Sequence, residues 1–339
     1  MWLLLASVVA AAAAAALGLA LLLSEMTGPP DATYAASAAR SPPPMVAPLH
    51  DCTAAPRCRS AGLLDAVLNS DRRKPRRRKE IGWWQRRRGQ ALPVAWFDDF
   101  FDEDYLRLFG PYVEGERAAA ESAGVLRLLD LPPGARILDL CCGQARHAAP
   151  LRAAGLEVVG LDLSAALLAA ARWRDHRLPL LRADMRALPL ADCSLDAVVN
   201  LFNAFGYFAD EDDDAQVLRE VARVLRPGGR FVQEVHHRDA LVRGWEQETT
   251  HPPYADGLVL RETRDWDAVR GRHTVRYLLT PPNGPAREGA PHTLRVYAVT
   301  ELAALHDQAG LGLQDVHGDL SGGPLTIDSS LATLVSVRR

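Results

Sequence analysis

A loop of small residues and an acidic residue at a strand end could together bind a small ligand. The chain reads Arg-Ile-Leu-Asp-Leu over 136–140, followed by Cys-Cys-Gly-Gln-Ala over 141–145. Small residues let a ligand approach the backbone, and free amides at the start of a helix can hydrogen-bond a carboxylate. About twenty residues further on, Asp162 ends the apolar segment Leu156–Leu161, where an acid can accept hydrogen bonds from a ribose diol.

After these residues the sequence alternates between predicted apolar strands and predicted helices. Two further strand segments are predicted at Leu180–Met185 and Leu195–Asn200, and a helix ending near Leu225 is followed by a Pro-Gly-Gly turn and the strand Phe231–Val235. Parallel strands of this kind bring their carboxyl ends to one ligand-binding edge. The sequence predicts a Rossmann-like, doubly wound α/β sheet of seven strands, the last one antiparallel near Leu331–Val337.

These segments together resemble the class I S-adenosylmethionine-dependent methyltransferases, over most of the chain from Trp96 onward. The run from Asp139 to Ala145 resembles the family's first motif, Asp-Leu-x-Cys-Gly-x-Gly. Asp162, Asp184 and the Leu-Arg-Pro-Gly-Gly turn correspond to later landmarks of the family. The resemblance implies that the cofactor is S-adenosylmethionine and that the activity is methyl transfer.

The resemblance also implies which residues hold the cofactor: Asp139, Cys141, Gly143, Ala145, Asp162, Asp184, Met185 and Asn200. The turn 141–145 is expected against the methionine moiety, and Asp162 is expected to bond the ribose hydroxyls. Asp184 is expected to receive the adenine amino group, while the Met185 backbone amide donates to an adenine ring nitrogen. Asn200 is expected near the methionyl end.

Two positions of the first motif depart from the family pattern, because Cys141 and Ala145 stand where glycines are usual. A methyl group costs little at a position with negative φ, but it strains a position that requires positive φ. We expect the change at Ala145 to affect cofactor affinity and to leave the fold unchanged. Asp139 has a simpler alternative role, since an acid at a strand end can organise its own turn.

Catalytic side chains are harder to choose, because aligning a nucleophile with an activated methyl group and excluding water supplies much of the acceleration. Tyr207 follows the fourth strand and is the best candidate for the acceptor pocket. His236 follows the fifth strand and is the candidate proton acceptor, although a lone histidine more often has a structural role. Three neighbouring aromatics are equally well explained as core residues: Phe202, Phe205 and Phe208.

A second set of strands is predicted within an insertion at residues 240–300. The segments Leu258–Trp266, His273–Thr280 and Thr293–Thr300 favour an antiparallel cap, similar to that of methyltransferases that act on small molecules. A small-molecule acceptor is therefore expected, methylated at nitrogen, oxygen or carbon. Five residues are candidate contacts, with exposed sheet charges as the alternative: Arg261, Arg264, Arg276, Arg295 and Tyr297.

The first 94 residues differ in composition from the rest. Residues 1–25 contain an uncharged apolar run from Trp2 to Leu23 that is long enough to cross a bilayer, and 26–94 read as a disordered linker rich in Pro, Ala and Arg. The methyltransferase domain is predicted at 95–339. Five cysteines without zinc-ligand spacing indicate reduced thiols and a cytoplasmic catalytic domain, tethered if the apolar run inserts. A mispredicted translation start is the alternative.

Three other functions stay open. An RNA methyltransferase would use the basic tract from Arg72 to Lys79, although a net charge of −3 gives no general attraction to nucleic acid. A protein that binds S-adenosylmethionine without catalysis would fit Ala145 and the lack of an obvious base. A dinucleotide-dependent oxidoreductase also uses a glycine-rich turn followed by an acid. The sequence carries no signal for the oligomeric state.

Overall fold

A computed structural model describes residues 100–113 and 115–339 of the protein. The predicted apolar segment 1–25 and linker 26–94 lie outside these residues. No helix in the described ranges is long and apolar enough to cross a membrane. The helices of this part are α1 (Glu103–Val113), α2 (Glu116–Leu129), α3 (Ala148–Ala153), α4 (Ala165–Arg174), α5 (Glu211–Val224), α6 (Arg238–Arg243) and α7 (Val299–Gln308).

Its strands form two sheets. They are β1 (Arg136–Leu140), β2 (Glu157–Asp162), β3 (Leu180–Arg182), β4 (Leu195–Asn200), β5 (Leu225–His236), β6 (Glu248–Thr250), β7 (Val259–Asp267), β8 (Arg272–Thr280), β9 (Arg287–Glu288), β10 (His292–Arg295), β11 (Leu311–His317) and β12 (Leu331–Arg338). The larger sheet has the order β11-β12-β5-β4-β1-β2-β3. Strands β1 to β5 pair in parallel, and β12 is antiparallel to both β5 and β11. The predicted seven-stranded sheet with an antiparallel last strand is confirmed.

Burial and helix capping explain why the parallel strands end at one edge. The central strands are apolar on both faces, and Ile137, Leu138 and Val199 are fully buried, as expected where helices cover both faces of a sheet. The hydroxyl of Ser164 accepts the Leu167 amide at 3.1 Å and starts α4 directly after β2. Because β4, β1 and β2 pair in parallel in this order, their carboxyl ends lie side by side, and only two residues separate β2 from α4.

The turn Arg-Pro-Gly-Gly lies within a strand in the structure. Helix α5 ends at Val224 and β5 begins at Leu225, so the turn bulges out of β5 where its register against β4 shifts. Gly228 has φ +77°, a conformation that favours glycine. The predicted order of helix, turn and apolar strand is kept.

The second sheet is antiparallel and lies between α6 and α7, with the order β10-β8-β7-β6 and β9 paired to β8. Strand β8 alternates burial at His273, Val275 and Tyr277, which points one face inward. The predicted strand Thr293–Thr300 is wrong in its second half, because α7 already begins at Val299. The Glu301 carboxylate accepts the Ala298 amide at 2.6 Å and starts this helix despite the β-branched sequence.

Candidate active site

A cavity of about 790 Å³ lies at the carboxyl edge of the parallel strands. Its walls come from the ends of β1 to β5, the segment leading into α1, and the second sheet. Its volume is in the range of small-ligand sites. The predicted site residues that line it are Asp139, Cys141, Gly143, Asp162, Asp184, Met185, Tyr207 and His236. Ala145 and Asn200 do not line it.

The first loop has an unusual backbone. Cys141, Gly143 and Ala145 have φ angles of 61°, 54° and 57°. The left-handed conformation costs a non-glycine residue about 1–2 kcal/mol, so Cys141 and Ala145 are strained there. The Ala145 amide donates to the Cys142 carbonyl at 2.8 Å, and its side chain is buried. Packing and this hydrogen bond hold the loop in the conformation that glycine would adopt freely.

Asp162 connects the first loop to the start of α4. One carboxylate oxygen accepts the Gly143 amide at 2.8 Å, and the other accepts the Ser164 amide at 2.8 Å. Burial raises the pKa of Asp162, and these amide hydrogen bonds oppose that shift. Since each carboxylate oxygen has a second lone pair, Asp162 can still accept hydrogen bonds from a ligand. The Ser164 hydroxyl also donates to the Phe101 carbonyl at 2.6 Å, which ties in the segment before α1.

Asp139 is buried with one carboxylate oxygen, Oδ2, that has no hydrogen-bond partner. Burial raises its pKa, while the nearby charges of His147 and Arg146 lower it. A buried carboxylate oxygen without a partner beside a cavity is suited to a cationic ligand group. The α-ammonium group of S-adenosylmethionine has that chemistry, so the residues present fit this cofactor.

Two residues at this end of the cavity were not predicted from the sequence: Arg146, which lines it, and Glu121, which pairs with Arg146. The Arg146 guanidinium lies 4.8 Å from the centre of the Phe202 ring, and its Nη2 lies 2.9 Å from Glu121 Oε2. Burial would raise the pKa of Glu121, but hydrogen bonds from His147 and Arg117 lower it to about 2. Arg146 directly follows the first motif, a position that could have drawn notice; nothing local marks Glu121.

The segment after β4 is strained as well. Phe202 and Asn203 both have φ 57°, and the Phe202 amide donates to the buried Glu234 carboxylate at 3.0 Å. Asn200 donates from Nδ2 to the Leu140 carbonyl at 3.1 Å, so it joins the ends of β1 and β4 behind the cavity. Phe205 and Phe208 belong to the buried core, as the alternative interpretation had it, and Phe208 also lines the cavity together with Phe202.

Asp184 is already engaged by its own chain. Its two carboxylate oxygens accept the Arg186 amide and the Arg186 guanidinium, at 2.6 Å from Nη2. Arg186 also pairs with Asp213 at 2.7 Å. Because these bonds fill the acceptor positions of the carboxylate, an adenine amino group would compete with Arg186 for Asp184. Met185 packs its sulfur 3.5 Å from that of Cys141.

The opposite wall is aromatic. The Tyr207 ring lies 5.7 Å from the Phe101 ring, and the Tyr277 hydroxyl lies 2.8 Å from Nδ1 of His292. Phe100 contacts the His292 ring at 4.8 Å. Burial lowers the pKa of His236 to about 4, so this imidazole is neutral at pH 7. None of the five predicted contacts from the second sheet lines this cavity: Arg261, Arg264, Arg276, Arg295 and Tyr297.

Known proteins are similar to this chain in sequence. A family profile described as a methyltransferase domain matches residues 137–229. The malonyl-[acyl-carrier protein] O-methyltransferase of Enterobacter lignolyticus is 30% identical over 194 residues, which cover 57% of this chain and 70% of that protein. The chain belongs to the class I S-adenosylmethionine-dependent methyltransferases. The predicted family, cofactor and enzyme class are confirmed.

Solved structures agree with the fold of this methyltransferase. The CcbJ methyltransferase from Streptomyces caelestis superposes with a TM-score of 0.64 at 21% identity, covering 73% of this chain and all of that one. CalS10 from Micromonospora echinaspora, an amino pentose methyltransferase solved with S-adenosylmethionine bound, gives 0.54 at 24% identity, covering 70% and 97%. At these identities the likeness supports the fold, and the acceptor must be argued from this chain's own residues.

Proposed function

We propose that this methyltransferase transfers the methyl group of S-adenosylmethionine to a small-molecule acceptor held against the aromatic wall. The observation that carries the proposal is one continuous cavity that joins the strand-end aspartates to Tyr207, His236 and the second sheet. Its size suits a cofactor with a compact acceptor. The similar proteins act on different acceptors by name, a malonyl-acyl carrier protein and an amino pentose, so they do not decide the substrate.

The proposed cofactor contacts follow from the hydrogen bonds already in place. Asp162, fixed by two backbone amides, accepts the ribose hydroxyls. The unpartnered oxygen of Asp139 accepts a hydrogen bond from the α-ammonium group. The loop containing Cys141 and Gly143 contacts the methionine moiety. The adenine ring lies toward Asp184 and Met185, where Arg186 competes for the carboxylate. Ala145 and Asn200 do not line the cavity and support these cofactor contacts from behind.

The bound cofactor supplies an electrophilic methyl group, and the chain supplies orientation and proton transfer. His236 is neutral at pH 7 and accepts a proton from the acceptor. Tyr207 stays protonated, because burial raises its pKa, and therefore orients the acceptor as a hydrogen-bond donor. The enclosing aromatic side chains exclude water from the reacting groups.

The domain boundaries remain part of the proposal. We assign residues 95–339 to the catalytic domain and the second sheet, within 240–300, to the wall over the acceptor. The cytoplasmic location of the catalytic domain stays a prediction. So does the membrane tether through residues 2–23, which lie outside the described part. Sedimentation of the full chain and of 24–339 from lysed cells tests the tether, which requires that only the full chain be found with membranes.

Calorimetric titration of the full chain with S-adenosylmethionine tests the proposed site. Asp162→Asn should weaken binding by about tenfold or more, because one charge-assisted acceptor is lost. Asp196→Asn is the matched control, since Asp196 also accepts a backbone amide, from Arg136 at 2.7 Å, but lies at the opposite end of β4. NAD serves as the control ligand. Equal affinity of Asp162→Asn and the unaltered chain would contradict the proposed cofactor contacts.

A further inference from the structure

The wall that faces the acceptor carries neutral side chains. Its residues from β5, β8 and β10 are His236, Tyr277, His292 and Leu294, and the chain before and at β12 adds Ser330 and Leu331. Among these described lining residues there is no carboxylate, ammonium or guanidinium group. Burial lowers the pKa of His236 to about 4 and that of His292 to about 3, so both rings are neutral at pH 7.

The charged lining residues have other positions and partners. Asp139, Asp162 and Asp184 stand at strand ends on the cofactor side. The guanidinium groups of Arg117 and Arg146 lie 5.7 and 4.8 Å from the centre of the Phe202 ring, and both approach Glu121. The remaining two are also engaged: the Asp102 carboxylate accepts the Tyr105 amide at 3.0 Å, and the Arg182 guanidinium donates to the Leu163 carbonyl at 2.9 Å.

The neutral wall is also aromatic. Phe100 stacks on Tyr277 with ring centres 5.7 Å apart and an interplanar angle of 26°, and it contacts His292 at 4.8 Å. Tyr277 and His292 satisfy each other through their 2.8 Å hydrogen bond. Behind this wall the buried Glu262 carboxylate already pairs with Arg264 and His251. A charged group placed here would therefore lose its hydration without gaining an unpaired opposite charge, which is strongly unfavourable. A planar uncharged ring would replace water with aromatic contacts.

We infer that the acceptor is an uncharged aromatic molecule with a ring hydroxyl, and that His236 takes the hydroxyl proton during transfer. This inference rests on the proposed methyltransferase function and names the substrate class of the same site. The hydroxyl oxygen forms a bond to the methyl carbon as the carbon–sulfur bond breaks. The bonding electron pair stays on sulfur, which leaves S-adenosylhomocysteine, and the proton passes to the His236 imidazole and then to solvent.

Binding selectivity tests the substrate class without requiring turnover. The full chain saturated with S-adenosylhomocysteine is titrated by calorimetry with 1-naphthol, with 1-naphthoate and with protonated 1-naphthylmethylamine, which share one ring system and differ in charge. We expect 1-naphthol to bind about tenfold or more tightly than either charged ligand. Tighter binding of a charged ligand, or no binding of 1-naphthol by a chain that binds S-adenosylhomocysteine, overturns the inference. A chain that does not bind S-adenosylhomocysteine instead contradicts the proposed function.

The role of His236 has its own test. His236→Gln should slow methylation of 1-naphthol by about tenfold at pH 7, less than the usual contribution of a general base, because the low pKa of this imidazole makes it a weak proton acceptor. The loss should shrink as the pH is raised and 1-naphthol ionises without help, a response that a merely structural residue would not give. His237→Asn is the matched control, because His237 lies outside the cavity lining and an Asn amide can still donate to the Ser329 carbonyl that lies 2.9 Å from its Nδ1. A pH-independent loss in His236→Gln would contradict proton transfer to this residue.

Discussion

The two halves of the cavity are built in different ways. The cofactor half consists of aspartates at the ends of adjacent strands, held by backbone amides and by a loop with three left-handed residues. The acceptor half consists of neutral rings from the α1 segment, the loop after β4, β5 and the second sheet. Charge and backbone geometry therefore define the cofactor half, whereas burial and ring packing define the acceptor half, and substitutions should affect one half without the other.

Removing the unpartnered histidine behind the acceptor half should have the largest effect on stability. His273 is buried beside Trp245 and His292, and neither of its ring nitrogens has a hydrogen-bond partner. His273→Phe should raise the free energy of unfolding by about 1–3 kcal/mol at pH 7, because an unsatisfied buried polar group is removed. Urea unfolding measures this change.

The same variant should depend on pH in a defined direction. Burial lowers the pKa of His273 from 6.5 to about 4 in the folded chain. Above pH 6.5 the ring is neutral in both states, but between pH 6.5 and 4 only the unfolded state binds the proton, so the native chain loses stability as the pH falls. The free energy of unfolding that His273→Phe gains over the unaltered chain should therefore be about 2 kcal/mol larger at pH 5 than at pH 7. His176→Phe, at an exposed position, should show no such growth; equal pH profiles for both variants would contradict the assignment.

Loosening the link between the second sheet and the loop after β4 should affect only acceptor turnover. The Arg272 guanidinium donates to the Phe208 and Ala209 carbonyls at 2.7–3.1 Å. Arg272→Met should lower kcat/KM for the acceptor by about tenfold through misplacement of that wall, with the S-adenosylmethionine Kd unchanged. Arg276→Met, on the same strand but exposed and paired with Asp265, is the control. Equal losses in acceptor turnover and cofactor affinity would remove the distinction between the halves.

Relieving backbone strain in the cofactor half should have a smaller effect on the free energy of unfolding. An alanine-to-glycine substitution there should stabilise the chain, whereas the same substitution in a helix should destabilise it. Ala145 has φ 57°, so Ala145→Gly should stabilise the chain by about 1 kcal/mol. Ala148 lies in α3, where Ala148→Gly should destabilise it by about 1 kcal/mol. Thermal and urea unfolding of both variants check the signs. Destabilisation by Ala145→Gly would mean that the methyl group's packing outweighs the backbone strain.

The smallest expected effect separates two aspartates of the cofactor half. The carboxylate oxygens of Asp184 already accept hydrogen bonds from Arg186. Asp184→Asn should therefore change the S-adenosylmethionine Kd by less than about threefold. Asp162→Asn is expected to have the much larger effect in the same titration. If the two variants weaken binding equally, Arg186 must release Asp184 when the cofactor binds.

Predictability from the sequence follows the same division. Asp139, Cys141 and Asp162 lie in or just after strands whose order and direction the apolar pattern predicts, so their meeting at one edge was foreseeable. The aromatic wall was not, because Phe100 and His292 reach it from separate elements whose packing leaves no local pattern. The tertiary hydrogen bond from Phe202 to Glu234 is equally invisible in sequence. Tyr207 and His236 could be predicted to lie at this edge because they come after β4 and at the end of β5, and both line the cavity.

The division of the cavity is tested most directly by a crystal structure of the full chain with S-adenosylhomocysteine and 1-naphthol. We expect ribose hydroxyls within hydrogen-bond distance of Asp162 and the naphthol ring against Tyr277 and His292, with its hydroxyl toward His236. An adenosyl group lying against the aromatic wall, or a naphthol ring among the strand-end aspartates, would contradict it.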